Sequence, residues 1–280
     1  MTEWLEVKAE FGVAPDDWAR IHIIFEKYGI DGTVQTDIPP TMSGYWVVGT
    51  SAGAPDSLIE ALIGAGARVE TKKIQEEAWS ESWKQYFQPR TIGGRLFLCP
   101  SWDIKEPPAG CSRIVLDPGQ AFGTGDHPTT RMCLDLLCRE PLEGKRIADI
   151  GCGSGVLSIA ALLLGASEAW GVDVDPVSVQ STLQNASRND VSLFAFEGKG
   201  FQPIATTETF DLIFSNIISA ALIGLAPEVP TRLKLGGRWV VSGIIDGNWP
   251  DVLKVAIRTG FALEEKLVEG DWVAAKFQLI

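Results

Sequence analysis

Cations are scarce in this 280-residue sequence: 24 Lys and Arg stand against 36 Asp and Glu, a formal net charge of −12. Proteins that bind by neutralising phosphates need a basic face, so this balance speaks against nucleic acid as a partner. Long apolar runs are also missing. No stretch reaches the roughly 20 residues needed to span a bilayer, so no membrane association is expected. The start, MTEWLEVKAEFG, lacks a basic segment followed by an apolar core, and a secretory signal is not expected. The five cysteines (Cys99, Cys111, Cys133, Cys138 and Cys152) are odd in number and contain no CxxC pair. That spacing fits neither a zinc site nor a disulfide framework, which implies reduced thiols, a cytoplasmic location and no bound metal. What the sequence does have is 45 % apolar and 21 % charged residues, enough apolar surface to offset chain entropy. Its length suits two domains or one large α/β domain.

Residues 1–75 read as alternating short strands and helices. Trp4, Leu5 and Val7 form a β-like run. Pro15 then opens an amphipathic helix with Trp18, Ile21, Ile24, Phe25 and Tyr28 at three- and four-residue steps, ended by Gly29. Runs at 33–36 and 45–49 flank the Pro39-Pro40 turn, a second helix covers 56–65, and a last run covers 68–74. The order β-α-β-β-α-β is that of a ferredoxin-like α+β domain, a plan that leaves the chemistry open.

Residues 76–92 read as a helical linker, with Trp79 and Trp83 four apart and therefore on one helix face. Gly93-Gly94 breaks it, and β-like runs follow at 96–99 and 112–116. From residue 144 the pattern becomes regular β-α alternation. Strands are expected at 146–150, 169–174, 192–196, 212–216, 238–243, 262–267 and 272–278. Helices are expected after Ser154, Pro176 and Ile218, and around 250–258. Such alternation implies a mainly parallel sheet covered on both faces. Only four residues separate the last two runs, too few for a parallel crossover, so they should form an antiparallel hairpin.

The sharpest local feature is Asp149-Ile150-Gly151-Cys152-Gly153-Ser154-Gly155, between a strand and a helix. Glycines there let the backbone turn tightly and approach a ligand closely, at the strand end where open α/β sheets bind cofactors. A dinucleotide fingerprint requires a glycine where Val156 or Ser158 stands, which disfavours a nicotinamide or flavin enzyme. Asp173 closes the next strand 22 residues after Gly151, where an acidic side chain can accept both ribose hydroxyls. Asp175, the competing choice, precedes Pro176 and reads better as a helix start.

Glycine loop, acidic strand end and β-α alternation together resemble the Rossmann-like S-adenosyl-L-methionine-dependent methyltransferases. Further segments narrow the resemblance: Leu116-Asp117-Pro118-Gly119-Gln120-Ala121-Phe122-Gly123-Thr124-Gly125-Asp126-His127-Pro128-Thr129-Thr130, Ser215-Asn216-Ile217-Ile218, Trp79-x3-Trp83-Lys84-x2-Phe87-x-Pro89, Ile92-Gly93 and Pro100-Ser101-Trp102. Together they look like the ribosomal protein L-eleven methyltransferases (PrmA-type). The likeness covers the linker and the whole catalytic part, and the N-terminal plan agrees with it. It implies a ferredoxin-like substrate-recognition domain at 1–75, a linker at 76–92, and at 93–280 a methyltransferase domain with a seven-stranded, mostly parallel sheet.

In that family the positions matching Thr130, Gly151, Asp173 and Asn216 contact the cofactor, and Asn216 also stands as the candidate catalytic residue. Each role has a physical basis. Gly151 permits close approach, Asp173 can hold the ribose, and Asn216 can pair with polar groups near the transferred methyl. Thr130 lies in a first helical turn, where spare N–H groups favour a carboxylate. Plainer readings stand beside these: Thr129 and Thr130 as polar first-turn residues, Asn216 as a strand-end residue, and His127 as a cap rather than a base. Methyltransferases of nucleic-acid bases often carry Pro-Pro and an aromatic after this Asn or Asp. Here Ile217-Ile218 follows, as in the ribosomal-protein family.

The resemblance implies a basic ribosomal protein as partner, methylated on lysines and its N-terminal amine. The rivals are another protein lysine or a small amine as acceptor, and a non-catalytic cofactor-binding protein. Oligomeric state is not legible, and a monomer is the expectation. Residues 1–75 carry 11 acidic and 6 basic side chains, the remainder 25 and 18. The smaller domain thus has the denser negative charge, as suits docking of a basic partner.

Overall fold

The computed structural model describes residues 3–13, 15, 18–28, 30, 33–37, 39–47, 55–75, 88–117 and 127–280. The Trp79–Trp83 segment of the expected linker and residues 118–126 of the long motif lie outside them. The chain divides into two compact units, Met1–Tyr86 and Phe87–Ile280.

The first unit runs β1 (Glu3–Glu10), α1 (Trp18–Lys27), β2 (Thr33–Asp37), β3 (Pro40–Val47), α2 (Pro55–Gly64) and β4 (Arg68–Gln75). Its sheet order is β2-β3-β1-β4, with every neighbouring pair antiparallel. Period-two alternation on β1 buries Val7 and Ala9 while Glu6, Lys8 and Glu10 keep some exposure. Ile21 and Phe25, one helical turn apart on α1, meet Leu58 and Leu62 of α2 in the same core. Pro40 was expected in a turn. It opens β3, paired with Asp37, a first-strand position at which proline is tolerated.

The second unit opens with a small sheet of β5 (Arg90–Ile92), β6 (Leu96–Cys99) and β7 (Ser112–Val115). The reading of 76–92 as helical linker therefore needs correcting at its end: Arg90–Ile92 is a strand, antiparallel to β6. Gly93 and Gly94, with φ of +56° and +67°, make the turn a helix-breaking reading missed. α3 (Pro128–Cys138) follows, beyond the first turn foreseen at Pro128.

The main sheet then alternates with helices: β8 (Arg146–Ile150), α4 (Val156–Leu163), β9 (Glu168–Asp173), α5 (Pro176–Arg188), β10 (Phe194–Glu197) and β11 (Phe210–Asn216). α6 (Ser219–Leu225), α7 (Val229–Arg232), β12 (Leu233–Ile245), α8 (Trp249–Arg258), β13 (Phe261–Glu269) and β14 (Trp272–Leu279) complete it. The strand order is β10-β9-β8-β11-β12-β14-β13. The five strands from β10 to β12 are parallel, and β13 and β14 form the expected antiparallel hairpin at one side. Successive residues of a strand feed opposite cores. Leu212 and Phe214 join Ile147 and Val240 on one face, while Ile213 joins Ala148 and Val241 on the other. Each such Val, Leu, Ile or Phe side chain contributes about 1.5–3 kcal/mol on full burial. The buried strands thereby fix where their carboxyl ends stand.

Candidate functional site

Above the carboxyl ends of β8, β9, β10 and β11 lies a cavity of about 690 Å³, within the roughly 300–1,000 Å³ of small-molecule sites. Thr130, Gly151, Asp173 and Asn216 all line it, though they come from four separate elements. This is the place where an open α/β sheet binds its ligand.

The glycine loop is built by close contacts. Gly151, Gly153 and Gly155 have φ of +84°, +53° and +78°, in the left-handed region that side chains avoid. The Gly151 N–H donates to the Val172 carbonyl at 2.7 Å, holding the loop to β9. The Asp173 carboxylate accepts from the Gly153 N–H at 2.9 Å through one oxygen and from the Asp175 N–H at 3.0 Å through the other. Each oxygen keeps a further lone pair, so the group can still accept hydroxyls. Asp175 accepts from the Val177 N–H at 2.9 Å and caps α5, as its place before Pro176 suggested.

At the end of β11 the Asn216 Nδ2 donates to Thr130 Oγ1 at 3.3 Å. Asn216 Oδ1 is buried and has no hydrogen-bond partner in the described structure. A buried acceptor without a donor costs about 1–3 kcal/mol. Thr130 departs from the sequence argument in one respect. Its N–H donates to the His127 carbonyl at 3.1 Å, so the hydroxyl, not a spare N–H, is what it offers. His127 caps α3: its Nδ1 lies 2.8 Å from Thr129 Oγ1 and accepts from the Thr129 N–H, and its ring meets Trp272 edge-on at 4.8 Å. Burial first, and the Arg131 charge second, lower its pKa. A cap, not a base, is what its geometry describes.

Cys152 also lines the cavity, but burial pushes its thiol up to about 12, which leaves it a poor nucleophile at neutral pH. Two further stretches line the cavity that none of the sequence motifs includes: the turn after β10, where Gly198 and Gly200 bracket Lys199, and the small-residue face of α6, Ala220, Ala221 and Gly224. The signal was present as small residues three and four apart, which let a helix approach a ligand closely.

A family model described as ribosomal protein L11 methyltransferase (PrmA) matches residues 32–279. The chain belongs to the ribosomal protein L11 methyltransferase family. A ribosomal protein L11 methyltransferase of Hahella chejuensis is 41 % identical over 211 residues, covering 75 % of this chain and 70 % of its own. That of Chloroflexus aurantiacus is 34 % identical across 98 % of this chain and 97 % of its own. The crystal structure of a ribosomal protein L11 methylase from Lactobacillus delbrueckii subsp. bulgaricus superposes with a TM-score of 0.64 at 27 % identity, covering 68 % of this chain and 98 % of that one. A Rossmann-like methyltransferase sheet, as the sequence implied, is thus the fold of the second unit. No described helix is long and apolar enough to cross a membrane.

Proposed function

We propose that this chain transfers methyl groups from S-adenosyl-L-methionine to lysine and N-terminal amines of ribosomal protein L11, in the cytoplasm. The observation that carries the reading is one cavity at the strand ends that Thr130, Gly151, Asp173 and Asn216 line together, with Asn216 Oδ1 buried and unpartnered. The residues present fit this methyl donor. Gly151 brings backbone close to the ligand, the Asp173 carboxylate suits a ribose, and the Thr130 hydroxyl and Asn216 supply polar contacts. When bound, the donor supplies an electrophilic methyl group on a sulfonium sulfur.

The chain's residues must deliver a neutral amine to it. At a reference pKa near 10.4 only about one lysine in 2,500 is neutral at pH 7, a barrier of about 4.6 kcal/mol. An apolar surround lowers that barrier by disfavouring the ammonium. Ile217 lines the cavity next to Asn216, and Ile218 is exposed just beyond it. Asn216 Oδ1 then accepts an N–H of the neutral amine and aims its lone pair, so that positioning supplies much of the rate.

Residues 1–75, a ferredoxin-like domain in this reading, dock the basic ribosomal protein, and the segment after them links it to the catalytic domain. The dense negative charge of that domain supports the assignment. Incubation with labelled S-adenosyl-L-methionine and purified ribosomal proteins, followed by mass spectrometry, is the test. Label on lysines and the N-terminus of L11 is expected. Label confined to another protein or a small amine overturns the substrate, and no transfer at all overturns the activity.

A further inference from the structure

The chain that leaves the site after Asn216 passes between two glycines. Asn216 ends β11, which lies between β8 and β12 in the sheet. On the β8 side, a Cβ built on Gly151 would stand 2.3 Å from Ile217 Cγ2. On the β12 side, Gly243 has φ of +80°, and a Cβ there would stand 2.5 Å from the Ile217 carbonyl oxygen, 2.9 Å from its carbon and 3.1 Å from its nitrogen. Those three are backbone atoms, which cannot swing aside as a flexible side chain can. Gly243 follows Ser242, the register partner of Asn216, at the point where the β12–β14 ladder slips between Val241 and Ile244. Such irregularities re-aim a strand and recur beside active sites. The left-handed conformation alone does not create this contact. Gly144 and Gly236 have φ of +69° and +72°, yet a Cβ on either would meet nothing within 4 Å.

We propose that Gly243 is a positioning residue for methyl transfer: it lets β12 lie against the Ile217 peptide, opposite Gly151, and so fixes the direction in which Asn216 presents Oδ1. The inference rests on the role proposed above for Asn216. A methyl group at Gly243 pushes the Ile217 peptide away and turns the Asn216 carboxamide off Thr130. A displacement near 1 Å costs on the order of a hundredfold in rate.

The test is Gly243→Ala in the full chain, with Gly144→Ala and Gly236→Ala as carriers of left-handed strain alone. The side-chain amide signals of Asn216 in a 1H–15N spectrum should move in Gly243→Ala and stay in place in both controls. With L11 as acceptor, kcat should fall by roughly tenfold to a hundredfold, and the Kd of S-adenosylhomocysteine should change far less. In an Asn216→Ala background, Gly243→Ala should lower kcat no further, because its effect passes through the missing carboxamide. Unmoved Asn216 signals, an equal kcat loss in the two controls, or full additivity with Asn216→Ala would each overturn the proposal. Should Gly243→Ala fail to fold, Gly243→Asn, a residue that tolerates left-handed φ better than alanine, still sets a Cβ against the Ile217 peptide. A kcat loss there that vanishes in the Asn216→Ala background supports the clamp, and an additive loss or none overturns it. A wild-type chain that does not methylate L11 counts against the proposed function, whereas the amide spectrum reads the clamp without turnover.

Discussion

Asn216 Nδ2 reaches Thr130 Oγ1 across 3.3 Å and ties the end of β11 to the first turn of α3, 86 residues away in sequence. Thr130 is almost fully buried, so its hydroxyl holds the carboxamide in one orientation and leaves Oδ1 without a partner. Asn216→Ala should therefore lower kcat by roughly a hundredfold while the fold persists. Thr130→Val keeps the shape and removes the acceptor, so kcat should fall less and the KM for S-adenosyl-L-methionine should rise. Steady-state kinetics with L11, together with melting curves, check both. Equal kcat for Asn216→Ala and wild type would sink the role given to Asn216.

Asp173 is held by two backbone N–H groups before any ligand arrives. A fixed carboxylate loses little freedom when it binds a ribose, and charged hydrogen bonds of this kind contribute about 1.5–3 kcal/mol. Asp173→Ala should thus weaken S-adenosylhomocysteine binding by roughly tenfold to a hundredfold in a calorimetric titration. It should also lower the melting temperature, since the Gly153 and Asp175 N–H groups lose their acceptor. Asp173→Asn retains one acceptor oxygen and should lie between the two.

The parts of this site that the sequence made legible are those carried by local pattern. Gly151, Asp173 and Asn216 sit at strand ends marked by apolar runs, and the tight turn needs its glycines whatever the tertiary packing. Asp175 and His127 were readable as caps because capping is a one-turn interaction. Contacts between distant segments were not legible. Neither the Thr130–Asn216 bond nor the passage of Ile217 between Gly151 and Gly243 leaves any periodic trace. The strand at Arg90–Ile92 was hidden for the same reason: three residues are too few to show an alternation, and its partner strand confers the structure.

Gly155 precedes α4 with φ of +78°, and a Cβ there would lie 2.8 Å from Thr182 Cγ2 and 3.1 Å from the Thr182 Cα. Thr182 is fully buried in α5, and its hydroxyl donates to the Gly153 carbonyl at 2.9 Å, so it cannot retreat without breaking the loop. Left-handed strain of about 1–2 kcal/mol and overpacking of about 1–3 kcal/mol both oppose Gly155→Ala. A loss of about 2–5 kcal/mol is expected in urea unfolding. Gly144→Ala, with open space around it, should lose only the first part. Equal losses would show that the contact with Thr182 carries no cost.

Asp149 lies in the buried run of β8 that leads into the glycine loop, and one of its oxygens accepts from the Ser158 hydroxyl at 3.0 Å while the other has no hydrogen-bond partner. Burial pushes its pKa up to about 7, helped by the Asp173 charge and opposed by the hydrogen bonds from Ser158. In the unfolded chain the carboxyl titrates near 3.9. Between about pH 4 and pH 7 the folded state therefore binds more protons than the unfolded one, and stability falls as pH rises through that window. Three pKa units correspond to about 4 kcal/mol at most. Asp149→Asn keeps the oxygen that Ser158 addresses and abolishes the titration, so its unfolding free energy should lose this slope. Urea unfolding at pH 5, 6, 7 and 8 makes the comparison. The wild type should weaken from pH 5 to pH 8 relative to Asp149→Asn, and the two should converge towards acid once corrected for a constant offset. Parallel curves across the range would mean that Asp149 is ionised in the folded protein at pH 5, with its charge stabilised by the glycine loop rather than penalised by burial.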